Sequence, residues 1–229
     1  MLRSDAKTML EHYQGYYEGH NWDSEKQQYR EFTYKGGLIQ KLASEAQKLK
    51  ESSNLGERFG NRTFGNFDPR RDKQAFDLCR AYANDTEIFS KKRNGLMLLG
   101  GVGSGKTHLA ASIANVLIDR GVPTLFGTYS EHLEKIREEF DSTGKKQYMS
   151  KMKNTPLIVL DDIGKERKTD WTQSVLFDII NYRYEHLLPV ILTTNFDADG
   201  LANYVEAAVW SRLYETCSAV MTKGDDYRQ

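Results

Sequence analysis

Short runs of consecutive hydrophobic residues alternate with segments of helical periodicity over most of the chain. Runs without regular polar positions are typical of strands that are buried on both faces of a parallel sheet. Such strands are predicted at residues 96–99, 122–126, 157–160, 189–193 and 219–222. Helices are predicted at residues 71–90, 108–120, 130–140 and 171–187. This alternation predicts an α/β domain in which a five-stranded parallel sheet carries helices on both faces.

The N-terminal part of the chain has a different pattern. Residues 1–35 are polar, charged and aromatic, whereas residues 38–49 place apolar side chains on one face of a polar helix. That face either packs on the rest of the chain or docks to another protein, because an isolated helix of this length is marginal in water. The Ser-Ser-Asn-Leu-Gly segment at 52–56 is typical of a linker. We therefore predict a helical partner-binding segment over residues 1–55 and a second domain over residues 56–229.

The most specific motif lies between the first predicted strand of the sheet and the helix that follows it. It matches the phosphate-loop pattern GxxxxGK[ST] with Gly100, Gly101, Val102, Gly103, Ser104, Gly105, Lys106 and Thr107. Backbone N–H groups of such a loop, together with the helix N-terminus, bind the phosphates of a nucleoside triphosphate. We expect Lys106 to neutralise phosphate charge, Thr107 to hold Mg²⁺, and His108 to complete the nucleotide-binding set.

Polar side chains also follow two later strands of the predicted sheet. Asp161 and Asp162 come directly after the third strand, at the end of a strand where α/β proteins bind their ligands. We expect Asp161 to order Mg²⁺, and Asp162 to orient or deprotonate an attacking water. Asn195 follows the fourth strand and is either a contact of the γ-phosphate or the water, or simply a turn-forming residue.

Three phenylalanines, Phe59, Phe64 and Phe67, stand in a turn-rich segment before the first strand. Two interpretations are open, because these rings either wrap the base of the nucleotide or cover the edge of the sheet.

Composition indicates the partners and the cellular compartment to expect for the protein. Lys and Arg together number 32, as do Asp and Glu, so no overall basic surface indicates nucleic acid. Cys79 and Cys217 are far apart and form no metal or disulfide pattern, which favours a reduced environment. No apolar run is long enough to span a membrane, and the N-terminus does not resemble a signal peptide. We therefore expect a cytoplasmic protein.

A local basic segment is the candidate contact with single-stranded DNA. It contains Lys145, Lys146, Tyr148 and Lys151. Cations interspersed with an aromatic side chain suit a nucleic acid backbone and a stacked base. The alternative is an ordinary solvated basic face. A second candidate patch is formed by Lys165, Arg167 and Lys168, within residues 165–168.

Together these motifs resemble the AAA+ ATPases that load bacterial and phage replicative helicases, the DnaC/DnaI type. The resemblance covers about residue 55 to the end of the chain. It rests on residues 58–59 and 63–64, the phosphate loop at 100–107, Leu160-Asp161-Asp162-Ile163-Gly164, Thr193-Thr194-Asn195 and Ser211-Arg212-Leu213.

The resemblance implies roles for several residues. Asp162 stands where these ATPases usually have a catalytic glutamate, Asn195 is the sensor I residue, and Arg228 is the terminal sensor II arginine. Arg212 is expected to be an arginine finger that acts on the ATP of a neighbouring subunit, which implies an oligomer; the alternative is a surface or salt-bridging arginine. For Arg183, we expect a solvated helix face rather than a contact with a neighbour.

The resemblance also implies which partner the protein binds and how fast it hydrolyses ATP. A replicative ring helicase would bind the N-terminal segment, and ATP hydrolysis with Mg²⁺ would release it. The shorter Asp162 side chain favours slow hydrolysis, and the chain leaves no room for a full lid domain after the fifth strand. IstB-type ATPases, which assist transposases, share these motifs, and a nucleotide-dependent adaptor that does not hydrolyse ATP is a third hypothesis.

Overall fold

The computed structural model describes residues 44, 47–85, 87–88, 91–143 and 147–223, with the backbone alone for 140–143. The chain divides into two compact units, residues 1–47 and 48–229. The predicted partner-binding segment over residues 1–55 therefore lies mostly outside the described residues.

The second unit is built on one parallel sheet of five strands. The strands are β1 (Gly95–Leu99), β2 (Thr124–Thr128), β3 (Leu157–Ile163), β4 (Val190–Thr194) and β5 (Cys217–Met221). Their order across the sheet is β2-β3-β4-β1-β5, and every pair is parallel. In this order β4 lies between β1 and β3, so the ends of three consecutive strands carry the phosphate loop, Asn195 and the Asp161–Asp162 pair. The predicted five-stranded parallel sheet is confirmed.

Helices connect these strands. They are α1 (Gly56–Gly60), α2 (Lys73–Asn84), α3 (Lys106–Asp119), α4 (Tyr129–Thr143), α5 (Gln147–Asn154), α6 (Asp170–Glu185), α7 (Ala198–Tyr204) and α8 (Ala207–Thr216). A short 3₁₀ turn covers Phe64–Asn66. The α2 helix is shorter than the predicted 71–90, because Asp72 caps its start by accepting a 2.9 Å hydrogen bond from Ala75 N, and the helix ends at Asn84.

Two apolar layers enclose the sheet, which explains why its strands are hydrophobic throughout. In β1, Leu96 and Leu98 face the layer that contains α2 and α3, whereas Met97 and Leu99 face the layer that contains α4, α5, α6 and α8. All five residues of β1 are buried. Consecutive side chains of a strand point to opposite faces, so a strand covered on both faces needs apolar residues at every position.

The 52–56 segment is not a free linker, contrary to the prediction. Ser53 and Leu55 are buried, and the Ser53 carbonyl accepts a 2.7 Å hydrogen bond from Phe126 N of the edge strand β2. Leu49, from the predicted apolar helix face, packs against the layer of α2 and α3. This segment therefore belongs to the packed unit, while the functional division at residue 55 stays a prediction.

Arg183 differs most from its expected position. It lies on α6 with a fully buried side chain, rather than on a solvated face. Its guanidinium donates to five backbone carbonyl oxygens at 2.7–3.2 Å, those of Met152, Lys153, Thr155, Pro156 and Pro189. Arg183 thus connects the end of α5 to the starts of β3 and β4.

Candidate nucleotide-binding site

The phosphate loop leaves the end of β1 and is packed closely on both sides. A Cβ at Gly105, where φ is +91°, would lie 2.7 Å from Cε2 of Phe67. A Cβ at Gly100 would lie 2.4 Å from the carbonyl oxygen of Thr222, just after β5. Glycine is required at both positions because any side chain would displace the loop from these neighbours.

Lys106 points its ammonium group into this loop. Its Nζ donates to the carbonyl oxygens of Gly100 at 2.7 Å and Gly101 at 2.6 Å, and the residue is 5% exposed. Burial lowers the pKa of Lys106, while the charges of Asp162 and Asp161 act in the opposite direction. The lysine is therefore a buried cation that faces the anion-binding loop.

Asp161 is held at the end of β3 by hydroxyl groups from two other elements. Its Oδ1 accepts from Thr107 Oγ1 at 2.9 Å and from Thr193 Oγ1 at 2.6 Å. Burial raises the pKa of Asp161 to about 6, and the neighbouring Asp162 adds to the increase. Because both donors are neutral, the buried carboxylate keeps its capacity to bind a cation.

Asp162 has an unusual backbone conformation, with φ at +59°. The register between β3 and β4 shifts between Leu160 and Ile163, and the amide of Asp162 donates to Thr193 Oγ1 at 2.9 Å. One threonine hydroxyl thus connects both aspartates. A non-glycine residue in the left-handed region costs about 1–3 kcal/mol and is typical of functional sites.

These elements meet in one cleft of about 350 Å³. The predicted residues that line it are Val102, Gly103, Gly105, Lys106, Thr107, His108, Asp161, Asp162 and Asn195. The cleft is also lined by Phe59 and Phe67, two of the three phenylalanines that are candidates to wrap the base. Residues that line it without a predicted contact to the nucleotide are Arg58, Arg62, Thr128 and Lys165. Asn195 is exposed directly after β4 and lines the same cleft as the two aspartates.

The phenylalanines fulfil two roles. Phe59 and Phe67 line the cleft and also pack into the layer of α2 and α3, whereas Phe64 packs edge-on against Phe76 at 5.6 Å. His108 Nε2 is within 2.9 Å of both Thr63 O and Asn66 Oδ1, so it connects α3 to the phenylalanine segment. Burial lowers the pKa of His108.

Other predicted site residues lie apart from the cleft. The Arg212 guanidinium lies between the rings of Phe177 and Tyr184, at 5.4 and 5.5 Å, and donates to Ala208 O at 2.9 Å. Arg212 is not among the residues that line its own cleft. Arg228 lies outside the described residues.

The basic segment is tied to the body of the domain. Tyr148 is half-buried, and its hydroxyl is hydrogen-bonded to Asn54 Nδ2 at 3.1 Å and to His132 Nδ1 at 2.8 Å. Lys151 is exposed, but its Nζ donates to Ser52 O at 2.9 Å. Lys145 and Lys146 lie outside the described residues. Tyr148 and Lys151 therefore both attach α5 to the segment before α1.

The contacts of two residues, the buried Thr193 and the cleft-lining Lys165, differ from what the sequence predicts. Thr193 was placed in the sequence motif as a strand residue, yet its hydroxyl positions both aspartates. Lys165 belongs to a candidate DNA patch in the sequence, yet its ammonium pairs with Asp162 Oδ2 at 2.5 Å.

None of the helices in the described parts of the chain has the length and apolar character that a membrane span requires.

The fold and the cleft define a phosphate-loop nucleotide-binding protein of the AAA+ class. The chain belongs to the family of IstB-like ATP-binding proteins, which it matches over residues 39–229. The predicted resemblance to this group of ATPases is thereby confirmed.

Individual proteins and solved structures are also similar to this chain. The chain is 33% identical over 168 residues to the phage-like element PBSX protein XkdC of Bacillus subtilis (strain 168), a match that covers 69% of this chain and 62% of that protein. It is 29% identical to the insertion sequence IS5376 putative ATP-binding protein of Geobacillus stearothermophilus, over 87% of this chain and 81% of that protein. Its fold matches the crystal structure of the DnaC helicase loader with a TM-score of 0.66 and 26% identity, over 73% of this chain and 100% of that one.

Proposed function

We propose that this chain is an ATP-dependent loader of a replicative ring helicase, which binds ATP with Mg²⁺ and hydrolyses it slowly to release its partner. One observation carries the binding of ATP with Mg²⁺: the Thr107 hydroxyl donates to Asp161 Oδ1 at 2.9 Å in the cleft that also contains Lys106. The similarity to the DnaC helicase loader over that structure's whole length supports the choice of partner.

The oxygen atoms at the bottom of the cleft fit Mg²⁺. The Thr107 hydroxyl and the buried Asp161 carboxylate are hard donors, and Mg²⁺ usually takes one or two such protein ligands with the rest from phosphates and water. No cluster of three or more His, Cys, Asp or Glu side chains occurs in the described part of the chain, and a site of this kind needs none. When bound, Mg²⁺ would neutralise phosphate charge and polarise the terminal phosphate.

The remaining polar groups of the cleft suit ATP hydrolysis. Lys106 binds phosphate oxygens, while Asp162 accepts a proton from the attacking water and Asn195 orients that water. The carboxylate of Asp162 reaches less far than that of the glutamate usual in AAA+ ATPases. A slow reaction follows, which suits a switch better than a motor.

Completion of the site requires a second subunit. Arg212 does not line its own cleft, which supports its proposed role as an arginine finger for the ATP of a neighbouring copy. An arginine supplied in trans stabilises charge that develops on the γ-phosphate. We therefore propose an ATP-dependent oligomer, with Arg228 as the sensor II arginine.

The proposed partners are a helicase and single-stranded DNA. The segment over residues 1–55 binds the helicase, and Lys145, Lys146, Tyr148 and Lys151 provide the contact with DNA. Both partners place the protein in the cytoplasm.

The test is the mass of the complex that forms with the replicative helicase of the same genome, ATP, Mg²⁺ and single-stranded DNA. We expect a complex with the wild type and with Lys92→Ala, whose side chain is exposed away from the cleft. Lys106→Ala is expected to form none. A full-length chain that gives no complex, or a Lys106→Ala variant that gives the wild-type complex, would contradict the proposal.

Hydrolysis has its own test. Asp162→Asn is expected to keep ATP binding and complex formation but to lose turnover. If wild type shows no turnover in the presence of DNA, and Asp162→Asn behaves identically, the chain is a nucleotide-dependent adaptor rather than an ATPase.

A second candidate partner is a transposase. The family description and the likeness to the IS5376 ATP-binding protein, over 81% of that protein's length, favour it. Pull-down of the full chain and of residues 48–229, the second compact unit, against a replicative helicase and against an IS21-type transposase separates the two candidates. If the chain binds the transposase and not the helicase, the proposed partner is a transposase instead of a helicase.

A further inference from the structure

Lys165 lines the nucleotide cleft, and the proposed mechanism gives it no task. Its ammonium group pairs with Asp162 Oδ2 at 2.5 Å, which is the carboxylate expected to act on the attacking water. The Lys165 side chain is 53% exposed and that of Asp162 is 22% exposed, so the ion pair is partly open to solvent. Half-exposed ion pairs are weak and exchange readily for a more highly charged partner.

The backbone that presents Lys165 is a tight turn after β3. The amide of Lys165 donates to the carbonyl of Asp162 at 3.3 Å, and Gly164 has φ at +97°. A Cβ at Gly164 would lie 2.3 Å from Cε2 of Phe196, so the turn packs directly on that ring. Thr194 Oγ1 donates to the carbonyl of Ile163 at 2.7 Å. The turn is therefore attached to the end of β4, where Asn195 also stands.

Glu166 fixes the other side of the same turn. Its carboxylate accepts from the amide of Gly164 at 2.9 Å and from the hydroxyl of Tyr204 at 2.8 Å. Each oxygen of Glu166 thus accepts one hydrogen bond that holds the turn, while the ammonium of Lys165 pairs with Asp162. The turn holds the lysine in place while leaving its long side chain free to change partner.

Lys165 lies at the phosphate end of the cleft. It lines the same cleft as Lys106, Thr107 and Asp161, and its ammonium pairs with Asp162, the residue next to Asp161. A further cation therefore stands in the cleft with the groups that are expected to hold the phosphates and Mg²⁺.

We propose that Lys165 is a ligand of the terminal phosphate of the bound nucleoside triphosphate, and that it leaves Asp162 when it binds that phosphate. The inference rests on the proposed function, because it needs a nucleotide on Lys106 and Thr107. A phosphate group with two negative charges attracts the ammonium more strongly than one carboxylate does. In the diphosphate complex no terminal phosphate competes, so Lys165 stays on Asp162. The exchange therefore frees Asp162 only when there is a phosphate to hydrolyse.

Lys165→Gln tests this proposal through binding rather than turnover. Affinities are measured for ADP and for a non-hydrolysable ATP analogue, each with Mg²⁺, by anisotropy of a fluorescent derivative. Lys73→Gln is the matched control, because Lys73 is also an exposed lysine that pairs with an aspartate, Asp77, and it does not line the cleft. We expect Lys165→Gln to weaken the ATP analogue about tenfold, as the loss of a charge-assisted hydrogen bond predicts, with ADP affinity unchanged.

The outcomes separate the two proposals. If the wild-type chain binds neither nucleotide, the proposed function fails. If the wild type binds both but Lys165→Gln leaves the preference for the ATP analogue unchanged, the role of Lys165 fails alone. Weaker binding of single-stranded DNA by Lys165→Gln, with unchanged nucleotide preference, would assign the lysine to the candidate DNA patch over residues 165–168. Lys165→Arg is expected to keep most of the preference, since it keeps the charge.

Discussion

Replacement of Arg183 by methionine should destabilise the domain far more than the loss of one surface charge. The guanidinium of Arg183 is fully buried, and its two terminal nitrogens serve five backbone carbonyl oxygens. Two of these carbonyls, from Met152 and Lys153, belong to the last turn of α5, where carbonyls lack partners within the helix. Pro156 follows and has no N–H to offer in place of the arginine.

The magnitude follows from what the substitution leaves behind. Methionine keeps much of the buried volume, so the cavity term is small, but the five carbonyls stay buried without a donor. A buried polar group that loses its partner costs about 1–3 kcal/mol, and a hydrogen bond to a charged group is worth about 1.5–3 kcal/mol. Burial of the guanidinium is itself unfavourable, as the lowered pKa of Arg183, about 9, indicates. Removal of this buried charge offsets part of the loss. We therefore expect the free energy of unfolding to fall by about 3 kcal/mol net, which corresponds to a fall of about 6–12 °C in Tm for a domain of this size.

Urea unfolding followed by circular dichroism measures this change. Arg80→Met on the exposed face of α2 is the matched control and should stay within about 0.5 kcal/mol of wild type. Arg183→Lys should fall between wild type and methionine, because an ammonium reaches fewer of the carbonyls. An Arg183→Met variant within about 1 kcal/mol of wild type would refute the reasoning, since the carbonyls would then have found other donors.

Two further predictions concern the cleft. Because burial raises the pKa of Asp161 to about 6, its carboxyl group contributes stability below the unfolded pKa, and that contribution is lost as the pH rises through 6. Asp161→Asn should therefore stabilise the nucleotide-free chain by about 3 kcal/mol at pH 8 and by about half as much at pH 5. An equal increase in the free energy of unfolding by urea at the two pH values would contradict this prediction. Gly164→Ala should lower the free energy of unfolding by about 1–3 kcal/mol, because φ is positive at Gly164 and a Cβ there would meet Phe196. The control Gly60→Ala should change it by less than about 0.5 kcal/mol, because a Cβ at Gly60 has open space around it. Equal thermal melts of the two alanine variants would show that the turn relaxes without cost.

Local patterns were sufficient to predict the architecture and the outline of the site. The apolar run at 157–160 is a buried strand because the two layers of helices leave no polar side of the sheet. The phosphate loop is recognisable because its glycines and Lys106 must follow one another at fixed spacing to surround an anion. Asp161 and Asp162 could be placed at the cleft because they lie at the carboxyl end of a strand, β3, whose direction is set by the parallel sheet.

Tertiary structure alone decided the contacts between residues that are distant in sequence. Thr193 joins both aspartates because β4 lies beside β3, and Arg183 is buried because α6 packs over the end of α5. Neither residue differs in type from ones that are solvated elsewhere, so no sequence pattern distinguishes them. The sequence by itself determined which groups are the candidates to bind phosphate and Mg²⁺. The order of the strands and the packing of the turns determined which side chains, Lys165 among them, meet those groups.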